Sequence, residues 1–428
     1  MRGARSNESS VLGLVSWALY DWANSAFPTL IQTFLFAAYF LRQVVKDEKL
    51  GTNYWGNAMG VAGFVIAILG PLLGAVTDQT GRRKPWIAGF TVLSVGATAL
   101  LWFIQPSTNF ILPALALVIV GTIGAELAVV FYNSMLPAIV SEERIGRWSG
   151  WGWGLGYAGG LACLTVALIG FVRAENPWFG VSAESGGRIR AATLLVAVWY
   201  SVFSIPMFLW TPDEPRSDKR WLEAFRDGRR QLWDSIRHAR QHAQIFRFLV
   251  AHMIFIDGLT TMFIFGGVFT AGTFQMNEQQ VLLFGITINV TSGIGAAAFA
   301  FLDDRLGGKR TILVSLLGLI VAGTLMLLAP SATWFWILGL ILGIFAGPAQ
   351  SASRSYLARV SPKELRNQMF GLFALSGKAT AFVGPLLVAW ITYATGSQHI
   401  GMGTIILFFA VGLILMLTVA SDKAKKSD

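Results

Sequence analysis

The chain has 428 residues and a formal net charge of +10, from 33 Lys and Arg against 23 Asp and Glu. Apolar side chains (A, V, I, L, M, F, W, Y, C) make up 54% and charged ones 13%, and with the 46 glycines the apolar share reaches about 65%, against roughly 45–50% in a soluble domain. No soluble interior hides that much apolar surface, because interiors stop growing and chains split into domains. A soluble enzyme and a nucleic-acid binder are therefore excluded, and the chain reads as a polytopic membrane protein whose surplus positive charge sits in loops facing anionic lipid. Cys163 is the one cysteine and lies in an apolar stretch, which excludes an intramolecular disulfide and a Cys-rich metal site.

A spanning helix needs about 20 mainly apolar residues. Twelve such windows follow one another, at roughly 14–38, 55–77, 86–104, 111–136, 150–172, 191–210, 248–271, 279–301, 311–329, 333–356, 368–392 and 401–420. Residues Met1 to Phe27 do not read as a signal peptide, since Asp21 and Asn24 interrupt the apolar run and it continues to Phe40. With the N-terminus inside, the inner segments hold 26 Lys and Arg and the outer ones 6. That asymmetry predicts that both termini are cytoplasmic. Segment 211–247 opens on Thr211-Pro-Asp-Glu-Pro and then places Trp221, Phe225, Leu232, Ile236 and Ala243 near one face among arginines. It is expected to be an amphipathic helix on the inner leaflet. His238 and His242 stand four apart on it. With no carboxylate between them they read as solvated histidines rather than metal ligands. No metal and no cofactor are expected.

The two sets of six spans repeat. The loop after the second span, Gly74-Ala-Val-Thr-Asp78-Gln-Thr-Gly81-Arg82-Arg83-Lys84, aligns at a constant offset of 226 with Asp303-Asp304-Arg305-Leu-Gly307-Gly-Lys309-Arg310 after the eighth. Val140-Ser141 and Gly150 are echoed by Val360-Ser361 and Gly371, and Asp21 of span 1 by Asp257 of span 7. The expected fold is an all-α membrane protein of twelve transmembrane helices in two six-helix halves, 1–210 and 248–428, joined by the linker 211–247. Two halves in one orientation form the parallel repeat of the major facilitator class, which holds substrate between them near the midplane.

The Gly74 to Lys84 loop resembles the conserved loop between spans 2 and 3 of the major facilitator superfamily. Asp78 can cap a neighbouring helix end and pair with the basic run, latching the halves; a purely positive-inside anchor is the alternative. The gating loop is then Asp78, Gly81, Arg82, Arg83 and their counterparts Asp304 and Arg305. Leu19-Tyr20-Asp21-Trp22-Ala23-Asn24-Ser25-Ala26-Phe27 resembles the opening signature of the autophagy-related vacuolar amino-acid effluxer family and its bacterial members. Gln350-Ser-Ala-Ser-Arg354-Ser355, with Gly371 and Lys378 in the following span, is similar to that family's second half. The resemblance covers essentially all twelve spans and implies a proton- or gradient-linked carrier, with amino-acid export as the implied activity.

Charges inside spans cost about 2.5–3.5 kcal/mol each on insertion scales and mark pathways or structural pairs. Asp21, with Asn24 on its face, Glu126, Asp257 and Lys378 are such positions, and Arg354 lies nearer the cytoplasmic end of span 10. Lys378 must pair with a carboxylate, Asp257 or Asp21, or become neutral. Glu126, with no basic residue within a turn, is a proton-carrier candidate or a protonated packing hydrogen bond. Arg354 snorkels to headgroups or binds an anionic group at the inner mouth. His252 reads as a satisfied helix-face histidine. Gly150, Gly152, Gly154, Gly156, Gly159 and Gly160 allow close helix contact. Tyr157 stands where the superfamily's antiporter signature has a proline, which weakens that match. Tyr157, Trp148, Trp151 and Trp153 read as interfacial or packing residues.

No Gly-x-Ser-x-Gly, His-Glu-x-x-His or phosphate-binding Gly-x-x-x-x-Gly-Lys-Ser/Thr occurs, so an enzyme and ATP drive are not expected. The expectation is a secondary transporter working by alternating access, proton-coupled, exporting amino acids; a proton-linked multidrug or lipid exporter is the alternative. Its partners would be a small-molecule substrate, protons and membrane lipids, without nucleic acid. It would act as a monomer in a bacterial inner membrane.

Overall fold

The computed structural model describes residues 9–182, 184–215, 217, 221–237, 243–274, 276, 278–378, 380–381 and 383–422. His238 and His242 lie outside them. Helix occupies every one of the twelve apolar windows. In the first half, α1 (Val11–Asn24), α2 (Glu48–Thr80), α3 (Lys84–Leu100), α4 (Ile111–Ile139), α5 (Ile145–Ala167) and α6 (Gly187–Trp210) run up and down. The linker contributes α7 (Trp221–Arg237). The second half contains α8 (Ala243–Phe274), α9 (Glu278–Leu306), α10 (Gly308–Leu327), α11 (Ala332–Val360), α12 (Arg366–Lys378), α13 (Val383–Thr395) and α14 (Gln398–Thr418). Ser10 caps α1 by accepting from the Gly13 amide at 3.2 Å, and Asp47 caps α2 by accepting from Leu50 at 3.0 Å.

Among the described residues, ten helices are individually long and apolar enough to cross a membrane. The other two windows are helical but interrupted. Beyond α1 the chain continues as a π-helical stretch, Phe27–Phe34, a turn of α-helix and a second π segment, Phe40–Val45. Pro28, which has no N–H to donate, sits where the ladder changes. The eleventh window is split between α12 and α13. Pro385 removes the hydrogen bond that would reach back to Ala381, and Gly377 and Gly384 flank the gap with weak helix formers.

The two halves meet along two seams related by the internal repeat. In the first, α2 lies against α12: a Cβ on Gly74 would sit 2.5 Å from the carbonyl oxygen of Asn367, and one on Gly70 3.3 Å from that of Gly371. In the second, α5 lies against α9: a Cβ on Gly154 would sit 3.2 Å from the Gly293 carbonyl and one on Gly150 2.6 Å from the Ala300 side chain. Small residues let the backbones touch where lipid supplies no hydrophobic drive. The seams close the end of the bundle where α1 begins and α14 ends, which carries Arg83, Arg147 and Arg359 and is here called the basic end.

The linker is tied to this end. The Ser217 amide donates to the Thr80 carbonyl at 3.0 Å. Gly228 of α7 packs on the α2 backbone, where its Cβ would lie 2.8 Å from the Val76 nitrogen. Ala224 is buried there, while Phe225 and Trp233 are exposed.

Replacing Gly74 by Leu should force the α2–α12 seam apart. A cysteine placed at the buried Gln368 should then react with a membrane-impermeant maleimide at least several-fold faster than in the Gly74 background. Equal rates would mean that the seam does not depend on this contact.

Candidate functional site

Between the halves, toward the end opposite the basic one, lies a cavity of about 1140 Å³. The first half lines it from the π-helical continuation of α1 and from α2 and α5, including Ser25, Gln32, Arg42, Trp55, Trp153 and Tyr157. The second half lines it from α8 to α11 and α14, including Met262, Phe284, Asn289, Phe335 and Gln350. Among the described residues Arg42 is the one charged group in this lining. Trp153 and Tyr157 are thus cavity residues rather than interfacial or packing ones, because the glycine-rich face of α5 brings that helix to the centre. Gln350 joins the halves here, donating to the Tyr157 hydroxyl at 2.9 Å.

One turn of α11 below Gln350, Arg354 crosses from the second half into the first. Its Nη1 donates to Asp21 Oδ2 at 2.9 Å and to Asn133 Oδ1 at 3.1 Å. Its Nε donates to Ser149 Oγ at 2.9 Å, and its Nη2 donates to the Ser149 carbonyl. The guanidinium carbon lies 5.1 Å from the Trp17 ring centre, 5.8 Å from that of Trp153 and 5.9 Å from that of Tyr132. The Arg354 side chain is 2% exposed, so it does not snorkel, and the Asp21 carboxyl keeps 16%. Asp21 therefore has Arg354 as its cationic partner, a pairing between halves not foreseen from sequence. Trp153 and Gln350 form the cavity floor above the guanidinium, and the ion pair lies beneath it, outside the lining itself.

Behind the floor the first half holds a hydroxyl chain. Asn24 Nδ2 donates to the Tyr200 hydroxyl at 3.2 Å; Tyr20 bridges that hydroxyl at 3.0 Å and Thr91 Oγ1 at 2.6 Å. Glu126, half-buried on α4, acts electrostatically on the same Tyr200. The structure thus joins Asn24, Tyr20 and Thr91 at Tyr200. Asp257 stands apart in the second half. It is 2% exposed, and its Oδ2 accepts from the Gly384 amide at 3.2 Å in the first turn of α13, while its Oδ1 has no hydrogen-bond partner among the described residues. His252 is buried and its Nδ1 lies 2.8 Å from Ser376 Oγ on α12. Lys378 is the last residue of α12, and its side chain lies outside the described residues.

Two carboxylate caps fasten the basic end. Asp78 accepts from the backbone amides of Asn367 and Gln368, both at 2.9 Å, and from Asn367 Nδ2 at 2.6 Å. A carboxylate at the first turn of α12 is placed where the helix N-terminus carries partial positive charge. Arg83, 2% exposed, donates from Nε to Asn367 Oδ1 at 2.9 Å and pairs with Glu214 at 3.0 Å. In the repeat, Asp304 accepts from the Arg147 amide at 2.9 Å in the first turn of α5. Arg82 and Arg305 are exposed and Gly81 makes the turn at φ +83°. Burial, then the neighbouring Arg83 guanidinium, lowers the Arg366 pKa.

Sequence reasoning missed a second pair of caps. Asp213, just past α6, accepts from the Arg83 and Lys84 amides at 3.0 and 3.1 Å. Asp422, just past α14, accepts from the Gly308 and Lys309 amides at 2.7 and 3.2 Å and from Arg359 at 2.9 Å. The lysines repeat the device: Lys84 Nζ donates to the Phe208 carbonyl at 2.9 Å, Lys309 Nζ to the Leu417 carbonyl at 3.1 Å. The offset of 209 between Asp213 and Asp422 was readable, but only by aligning the halves past their last spans. Arg359 and Asp303, 2.6 Å apart and both buried, complete the second latch.

Comparison with known proteins agrees with this architecture. The family model described as "Vacuole effluxer Atg22 like" matches residues 54–428. The uncharacterized MFS-type transporter YxiO of Bacillus subtilis is 28% identical over 412 residues, covering 95% of this chain and 94% of that protein. Autophagy-related protein 22 of Kluyveromyces lactis is 25% identical over 370 residues, with 78% and 72% covered. The crystal structure of the human organic anion transporter MFSD10 superposes with a TM-score of 0.72 at 16% identity, covering 95% of this chain and 99% of that one. The fold is that of the major facilitator superfamily.

Replacing Arg354 by Ala leaves Asp21 without its cationic partner. The cost expected is about 3–5 kcal/mol, the range for breaking a buried pair from one side. Thermal unfolding in detergent should show it as a large loss for Arg354→Ala, partly recovered in Asp21→Asn/Arg354→Gln, where neither charge remains. A double variant no more stable than the single one would argue against a direct pair.

Proposed function

Because the chain belongs to the Atg22-like vacuole effluxer family, and so is a multi-pass membrane transporter rather than an enzyme, we propose that it exports small organic solutes by proton-coupled alternating access. The observation that carries this reading is the Asp21–Arg354 pair, which bridges the halves beneath the cavity. The basic end is sealed and the cavity lies toward the other end. With both termini in the cytoplasm of a bacterial cell, this is the outward-facing state of an inner-membrane carrier. A proton reaching Asp21 through the cavity leaves Arg354 buried without its counter-charge, which is costly. The favoured response is for the floor to part and the basic end to open, so that proton binding selects the inward-facing state. Release of the proton inside and loading of solute restore the pair. Glu126 beside Tyr200 and Asp257 at the split helix are further proton-holding positions in this scheme, Asn24 orients the Tyr200 end of the chain, and Lys378 stays a coupling candidate on sequence grounds.

Amino acids are the first solute class to test, those with apolar side chains foremost. The cavity favours a second reading as well: its size and the single charged residue of its described lining suit a proton-linked exporter of drugs or lipids.

In proteoliposomes, Asp21→Asn should abolish leucine accumulation driven by a pH gradient while leaving exchange of labelled for unlabelled leucine within a few-fold of wild type. Gradient-driven accumulation at the wild-type rate in this variant would exclude Asp21 as the coupling group.

A further inference from the structure

The linker helix α7 has three unlike sides. Ala224 and Gly228, four residues apart, are buried against α2. Phe225, Arg229 and Trp233 follow one another at the same spacing, beside Arg226 and Arg230, and all five are exposed. Glu223, Asp227 and Asp234 make the third side, opposite Phe225 on the helix. Arginines and large aromatic rings are thus gathered on one side, and the described carboxylates on another. Arg226 meets Asp227 at 4.0 Å and Arg230 meets Asp234 at 3.9 Å, across the edge between these sides. Exposed contacts of that length contribute little.

The depth of α7 follows from α2. The apolar stretch ending at Thr80 is 28 residues long, Asn53–Thr80. About 20 suffice to cross the hydrocarbon, so its ends reach the headgroup layers. Gly228 packs on the α2 backbone at Ala75 and Val76, on the flank of that helix a turn short of Thr80. This is the level at which tryptophans and amphipathic helices settle.

We propose that the arginine and aromatic side of α7 is a docking surface for anionic phospholipid of the surrounding membrane. Phe225 and Trp233 enter the headgroup layer, the three guanidiniums meet the phosphates, and the carboxylate side turns to water. A zwitterionic headgroup brings its own cation against the same arginines, so net negative charge is what this side selects. Val76 stands two residues before Asp78, so the lipid is held beside the latch. The surface is separate from the cavity, and its test does not depend on what the cavity carries.

The test keeps the full chain in lipid nanodiscs, in a Cys163→Ser background, with a fluorescent label at Phe225→Cys or at Glu223→Cys. Nitroxides near the headgroup end of the acyl chains should quench the first label at least several-fold more than the second. A label at Trp233→Cys should repeat the Phe225 result independently. Raising phosphatidylglycerol in phosphatidylcholine should increase quenching at position 225 to saturation. Arg229→Gln should raise about fivefold the phosphatidylglycerol fraction needed for half the effect, as expected of one arginine at an anionic surface. The combined variant Arg226→Gln/Arg229→Gln/Arg230→Gln should no longer respond to phosphatidylglycerol. Strong quenching that ignores phosphatidylglycerol in the unsubstituted helix would mean ring insertion without headgroup recognition, and would overturn the proposal. Equal quenching at positions 223 and 225 would also overturn it. So would quenching at neither, which would leave this side to an acidic partner in water.

Discussion

A guanidinium buried between two rigid halves is the constraint on which the arrangement turns. Arg354 belongs to the second half, yet the oxygens it donates to, on Asp21, Asn133 and Ser149, belong to the first. A buried cation is costly to leave without its partners, so these contacts tie the halves together at this level. Above the pair the halves diverge into the cavity. Below it, glycine seams and carboxylate caps close the basic end.

In the proposed cycle the caps are what make the closure reversible. Asp78 and Asp304 hold the opposite half mainly through helix N-termini, whose partial charges are worth up to about 2 kcal/mol each in partly buried geometries. Such contacts are individually weak and geometrically demanding. They add up when the seams are in register and, in the proposed cycle, would be lost together as the halves part. Asp213 and Asp422 act differently, since each caps a helix of its own half and keeps the latch loop rigid. The linker helix α7 packs on α2 at Val76, two residues before Asp78, so whatever holds α7 also bears on the latch.

Much of this was legible in the sequence because the signals were physical and local. Twelve apolar windows, the excess of Lys and Arg on one side and the repeat of Asp78 in Asp304 followed from hydropathy, charge and spacing. The interruptions were also written there, in Pro28 and Pro385, but a hydropathy window averages across a proline. Pairings between halves were not legible. Asp21 and Arg354 are separated by more than three hundred residues, and nothing in either stretch says which intramembrane charge meets which. Reading depth alone offered Lys378 a partner in Asp257 or Asp21, and the register of α11 against α1 placed Arg354 on Asp21. Likewise, whether Trp153 and Tyr157 faced lipid or cavity depended on the rotation of α5, which its glycine face decides only once α9 is in place.

The central claim is that ionised Asp21 holds the basic end closed. Double electron–electron resonance between spin labels at the exposed positions Arg82 and Lys363 tests it most directly, in lipid nanodiscs at neutral and acidic pH, for the wild type and for Asp21→Asn. The account predicts a short distance for ionised Asp21, and a shift to longer distances in acid or in Asp21→Asn at any pH. Distance distributions that do not change with pH or with the substitution would contradict it.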